Sequence, residues 1–175
     1  MATKDTTMIN ESFGLNEEQI AESRVVVVDD DQLVTTSLRN FLSLEMEIDP
    51  ITFNDPREAE SYINGNEIDL IISDFLMPEL DGIQLLTAAR KAQPEVPRVL
   101  LTGYADKENA IKAINEVQLF QYVEKPWDNA QLRHIVVAGL ERQNLLRLLT
   151  RKMDELSRTR QDLEGLRKAL VRAFA

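Results

Sequence analysis

The chain has 175 residues, 20 Lys and Arg against 30 Asp and Glu, a formal net charge of −10 and 43% hydrophobic residues, which bounds it to one domain with an appendage or two small units. The acidic balance argues against general affinity for nucleic acid, whose phosphates would be repelled, but leaves room for a cation held by clustered carboxylates. The absence of cysteine excludes disulfides and thiolate chemistry and fits a cytoplasmic protein; no apolar run is long enough to span a bilayer, and residues 1–23 lack the apolar core of a signal peptide.

Residues 1–23 read as a polar extension, a disordered or loosely docked tail in which residues 15–21 form one or two helical turns at most. Arg24-Val25-Val26-Val27-Val28 follows as a strand buried on both faces of a parallel sheet. It runs directly into Asp29-Asp30-Asp31. Asp31 is placed to cap the next helix, but three adjacent carboxylates repel one another unless a positive charge lies among them. A hard divalent cation such as Mg²⁺, held by one or two carboxylates and several waters, meets that need.

Residues 32–44 carry Leu33, Val34, Leu38, Phe41 and Leu42 at helical spacing. A weaker strand over 47–53, interrupted by Pro50, is expected at a sheet edge. Asp55-Pro56 opens a helix running to about residue 64, with Gly65 ending it. The third strand, 68–73, is a short apolar run that ends in Asp74, followed by a loop with Pro78 and by Asp81-Gly82 ahead of a helix over 83–93. Arg98-Val99-Leu100-Leu101 is the fourth strand, finishing in Thr102-Gly103; a helix is expected over 106–115 and a fifth strand over 119–123, followed by Glu124-Lys125-Pro126-Trp127. Asp128 caps a last helix that meets no proline as far as Phe174.

Strands alternating with helices on short connections imply a βα repeat: an α/β fold with a five-stranded parallel sheet covered on both faces, in the flavodoxin-like order 2-1-3-4-5. This domain occupies residues 24–140. From 141 to 175 the last helix continues as a coiled-coil segment, with Leu146, Leu149, Met153, Leu156, Leu163, Leu170 and Phe174 on a heptad seam. Arg160 and Arg167 fall at core positions of that register, and a shift that substitutes Thr159 and Leu166 implies a stutter. A lone helix would expose this stripe, which favours a parallel homodimer over an antiparallel pair or a frayed tail.

In such a sheet ligands bind beyond the carboxyl ends of the strands, where Asp29, Asp30, Asp74, Thr102 and Lys125 all fall. Singly each has a bland account: a strand-end aspartate caps a loop, a threonine forms a turn, a lysine is solvated at the surface. Together they have the chemistry of phosphoryl transfer to a carboxylate. Asp74 is the candidate nucleophile, Asp29 and Asp30 candidate Mg²⁺ ligands, and Thr102 and Lys125 candidate partners of phosphoryl oxygens. A cis Lys125-Pro126 peptide is expected to turn the lysine inward.

Val27-Val28-Asp29-Asp30-Asp31, the run from Asp74-Phe75-Leu76-Met77-Pro78 to Asp81-Gly82, Leu100-Leu101-Thr102-Gly103-Tyr104 and Tyr122-Val123-Glu124-Lys125-Pro126-Trp127 together resemble the receiver domain of two-component response regulators. The resemblance implies that Asp74 accepts a phosphoryl group from a histidine kinase, that Asp29, Asp30, Asp74 and the backbone carbonyl of Leu76 ligate Mg²⁺, and that Thr102 and Tyr122 are switch residues. On that pattern, phosphorylation reshapes the face made by residues 106–115, the fifth strand and the last helix. Apolar Leu76 and Tyr104 stand where family members often carry polar residues that influence hydrolysis, which implies a long-lived phosphoryl state. Leu101 to Asp106, Ala113-Ile114-Asn115 and Lys125-Pro126-Trp127-Asp128 are also reminiscent of receivers attached to HD-GYP phosphodiesterases or to hydrogenase-type transcriptional regulators. No helix-turn-helix or His/Asp metal cluster is found, so the chain is expected to be a phosphoacceptor rather than an enzyme, with an effector domain possible beyond residue 175 and no direct contact with nucleic acid or membrane. A haloacid-dehalogenase-type phosphatase shares the aspartate, threonine and lysine but needs a further acidic motif after Lys125, where only Asp128, Glu141 and the charges of the last helix occur.

Overall fold

A computed structural model describes residues 14–103, 108, 111 and 117–174. Its five strands, β1 (Val25–Val28), β2 (Ile51–Phe53), β3 (Leu70–Asp74), β4 (Arg98–Thr102) and β5 (Gln121–Glu124), form one parallel sheet in the order β2-β1-β3-β4-β5. The helices are α1 (Glu17–Ala21), α2 (Gln32–Met46), α3 (Pro56–Gly65), α4 (Gly82–Ala92) and α5 (Asn129–Ala173). The helix expected over 106–115 lies outside the described residues.

Side chains leave the strands with a period of two and so build two cores. Val25, Val27, Leu70, Ile72, Val99, Leu101 and Val123 meet Leu38, Phe41 and Leu42 of α2 and Leu132, Ile135, Val136 and Leu140 of α5. On the opposite face Val26, Val28, Ile71 and Leu100 meet Ala59 and Ile63 of α3 and Leu85, Leu86 and Ala89 of α4. Each of β1, β3 and β4 is buried along its whole length, the result of apolar runs sealed between two helical layers.

Several boundaries differ from expectation for local reasons. β2 has three residues rather than seven, because Glu47 takes a left-handed conformation (φ 57°) as the C-cap of α2 and the Ile48 amide bonds back to the Leu42 carbonyl. β2 is nonetheless the edge strand. Leu33, expected on the inner face of α2, is 80% exposed, and Thr35 is buried instead. Of the polar extension before β1, the described residues begin at 14 and are docked rather than loose: Asn16 and Gln19 cap α1 reciprocally, and Leu15 and Ile20 pack on the core beneath α2 and α5.

The chain divides into two compact units between Gln143 and Asn144. The second is helical to Ala173, and its large apolar side chains, among them Leu149, Met153, Leu156, Leu163 and Leu170, are exposed. No described helix is long and apolar enough to cross a membrane.

Candidate functional site

Strand register sets the depth of each carboxylate. Val28 pairs with Ser73 and Asp74 with Leu101, so one residue beyond β1 Asp29 stands level with Asp74. Both side chains are buried, while Asp30, the next residue out, is exposed. Carboxylate oxygens of Asp29, Asp30 and Asp74 come within 4.8 Å of one another.

Lys125 lies one residue past the end of β5, where Glu124 pairs with Thr102. Its ammonium is 2.7 Å from Asp29 Oδ2 and 2.7 Å from Asp74 Oδ1, bridging the two buried carboxylates across the sheet. The Lys125-Pro126 peptide is cis, as expected. Burial alone pulls the lysine pKa down, but hydrogen bonds and charge from Asp29 and Asp74 outweigh it and leave the ammonium held above its ordinary value. Burial pushes the Asp74 carboxyl up; the Lys125 hydrogen bond opposes that, the Asp29 charge adds to it, and the net shift is upward. Three carboxylates and one ammonium leave the cluster short of positive charge, and the donors are all hard oxygens, so the residues fit a divalent cation of the Mg²⁺ type.

Two further sequence candidates flank the cluster. Thr102 ends β4 fully buried, with its hydroxyl donating to the Gly103 carbonyl at 3.1 Å. Leu76, two residues after Asp74, has its side chain 57% exposed in the loop. Tyr122, which pairs with Leu100, is half-buried against the core that α3 and α4 cover. Tyr104 lies outside the described residues.

Two residues that support the site, Asn54 and Gly82, and one buried cation at the far end of β4, Arg98, were not singled out from sequence. Asn54, just past β2, donates to the Asp29 carbonyl at 2.8 Å and to the Thr35 hydroxyl at 3.1 Å, fixing the turn that carries the acidic run. A polar residue after a strand was the available signal. Asp29 itself accepts the Asp31 amide at 2.9 Å, while Asp31 caps α2 by accepting the Leu33 amide at 2.8 Å. Gly82 opens α4 against the backbone of Asp74, and its amide donates to the Phe75 carbonyl at 2.8 Å. Arg98 is buried at the start of β4, where its guanidinium binds the carbonyls of Pro94, Val96 and Gln118. Burial lowers the Arg98 pKa to about 10, with Arg90 and Arg142 adding to the effect.

A doubly covered parallel sheet with two buried aspartates and a bridging lysine at its carboxyl edge defines a flavodoxin-like α/β domain with a carboxylate-centred site. Residues 25–137 match the response regulator receiver domain family, and the chain belongs to it. Among curated relatives it is 32% identical over 124 residues to the hydrogenase transcriptional regulatory protein HoxA of Cupriavidus necator, a match covering 71% of this chain and 25% of that protein. Among solved structures it resembles a response regulator receiver domain protein from Clostridium thermocellum (28% identity, TM-score 0.66, 71% of this chain and 98% of that one). It also resembles adenylate cyclase from Rhodopirellula baltica (29% identity, TM-score 0.67, 77% and 97%). The chain spans about a quarter of the length of HoxA and of several other curated relatives it matches.

Proposed function

We propose that the protein is a phosphorylation-driven switch in which Asp74 accepts a phosphoryl group from a histidine kinase. A carboxylate oxygen of Asp74 attacks phosphorus, the phosphorus–nitrogen bond of the donor phosphohistidine breaks, and the imidazole leaves with the electron pair and takes up a proton. Lys125 then pairs with an oxygen of the new phosphoryl group while keeping its contact with Asp29, and Thr102 turns its hydroxyl from the Gly103 carbonyl to another. Asp29, Asp30, Asp74 and the Leu76 carbonyl would hold Mg²⁺, which neutralises charge on the transferring group. The observation that carries this reading is the Lys125 ammonium shared between Asp29 and Asp74.

Transmission follows from position. Tyr122 turns inward as Thr102 moves, and the face to which β5 and α5 contribute changes shape. Residues 24–140 act as the receiver and 141–175 as a coiled coil that pairs with a second copy in parallel. The curated relatives are regulators much longer than this chain, and one structural neighbour is an adenylate cyclase, which supports an effector domain or partner beyond the receiver. The chain itself acts as a phosphoacceptor in the cytoplasm, without direct contact to nucleic acid or membrane.

Intact mass after incubation with a small phosphodonor tests the reading. One added phosphoryl group is expected in the presence of Mg²⁺, and none with chelator or in Asp74→Asn. A wild-type chain that stays unmodified by both a small donor and histidine kinases rejects it.

A further inference from the structure

Heptad positions in the second unit do not follow one register. From its start, Leu146, Leu149, Met153 and Leu156 step by three, four and three residues, as a and d positions do. Continuing that pattern places Arg160 and Arg167 in the core, each next to its own symmetry copy. The other choice from Leu156 runs through Thr159, Leu163, Leu166, Leu170 and Ala173, a seam with no charged member. Leu156, Leu163 and Leu170 belong to both.

Charge separates the two registers. In the second, Glu155 and Asp162 occupy g positions, and Arg160 and Arg167 the e positions five residues later. In a parallel pair each g residue faces the partner's next e residue, so Glu155 meets Arg160 and Asp162 meets Arg167, twice over by symmetry. An antiparallel pair would set e against e and g against g, placing arginines together and carboxylates together. The uninterrupted heptad instead puts Leu166 and Val171 at the flanks and offers no complementary g–e pair.

Local contacts are compatible with the change. The Thr159 hydroxyl already donates to the Glu155 carbonyl of its own helix at 3.0 Å, so it can enter a seam without an unpaired polar atom. Glu155 and Arg160 have exposed partners one turn away, Lys152 at 3.1 Å and Glu164 at 3.6 Å. Such surface pairs are weak enough to exchange.

We infer that the second unit binds a second copy of this chain in parallel through a seam that changes register at Leu156, with Glu155–Arg160 and Asp162–Arg167 pairs between the copies fixing orientation and partner. Two successive steps of three correspond to a three-residue insertion, a stammer, and this replaces the stutter expected from the sequence. A stammer overwinds the pair locally. The inference rests on the parallel self-pairing proposed above and specifies its register.

Because the full chain has no cysteine, single substitutions report the register directly through disulfide formation. A disulfide needs α carbons about 4.4–6.8 Å apart, which core positions meet and flanking positions miss. Leu156→Cys and Leu163→Cys should cross-link in either register. Thr159→Cys and Leu166→Cys should then cross-link severalfold more than Arg160→Cys and Arg167→Cys. The reverse order overturns the stammer and leaves the dimer standing, whereas no cross-link at the shared positions overturns the parallel dimer itself. Charge reversal checks the pairs: Arg160→Glu/Arg167→Glu and Glu155→Arg/Asp162→Arg should each self-associate more weakly than wild type and recover when mixed. Unchanged self-association in both would exclude the pairs.

Discussion

The α carbon of Gly82 sits against the backbone of Asp74: a Cβ at Gly82 would lie 2.0 Å from the Asp74 carbonyl oxygen and 3.1 Å from the side chain of Leu100. The Asp74 carbonyl is backbone inside a buried strand and cannot swing aside. Gly82→Ala must therefore push the start of α4 off the end of β3. Overpacking of this kind destabilises by about 1–3 kcal/mol, with the upper end expected where the neighbour is backbone. Urea denaturation measures the loss, and the phosphorylation rate of the folded fraction should fall as Asp74 shifts.

Removing the Lys125 ammonium leaves Asp29 and Asp74 facing each other with no cation between them. Breaking a buried ion pair costs about 3–5 kcal/mol, and the partial exposure of Lys125 places Lys125→Met at the lower end. The loss should shrink when Mg²⁺ is added, because the cation supplies charge to the same carboxylates. Chemical denaturation with and without Mg²⁺ reads both effects. A variant as stable as wild type without the cation would contradict the bridging role.

The direction of the Asp74 shift fixes a pH dependence. Its folded pKa lies above the ordinary 3.8, so without cation its contribution to stability is full below that value and is lost as pH rises through the folded pKa. A Mg²⁺ ion held by this carboxylate would compete with the proton, so its affinity should rise over the same interval. The Lys125 contribution runs the same way at higher pH: its folded pKa is also raised, so the stability it adds is full below the ordinary 10.5 and is lost as pH rises from there through the folded value. Carbon-detected NMR titration of the Asp74 carboxyl, repeated with saturating Mg²⁺, should show its pKa fall on adding the ion.

Leu76 bears on the lifetime of the modified state. An apolar side chain in the loop two residues from Asp74 offers no hydrogen bond to an attacking water, which should leave the aspartyl phosphate long-lived. Leu76→Asn supplies an amide that can orient water and should shorten the half-life. Rapid loss of phosphate in the wild type, unchanged by the substitution, would sink this expectation.

Strand ends were the most legible part of the chain. Four valines running into aspartates, and an apolar run ending in Asp74, specify both the sheet and the edge on which its polar residues gather, because buried strands tolerate few other residues. What escaped was non-local. The apolar Ile48 imitates a strand residue, yet it is buried by a left-handed turn at Glu47 that the local pattern does not encode. Leu33 has helical spacing but lies in the first turn of α2, beyond the reach of the core. Gly82 read as turn punctuation, although its role depends on a backbone eight residues away in sequence and packed against it in space. Arg98 read as the polar start of a strand, whereas it is buried with its guanidinium on three carbonyls supplied by two loops.

The most direct test of the central claim is to find which carboxylate carries the phosphoryl group. Aspartyl phosphate can be trapped by borohydride reduction, which converts the modified residue to homoserine, and located by peptide sequencing in a mass spectrometer. With a small phosphodonor and Mg²⁺, conversion is expected at Asp74 alone. Conversion at Asp29 or Asp30, or at none of the three, would contradict the assignment of Asp74 as the phosphoacceptor.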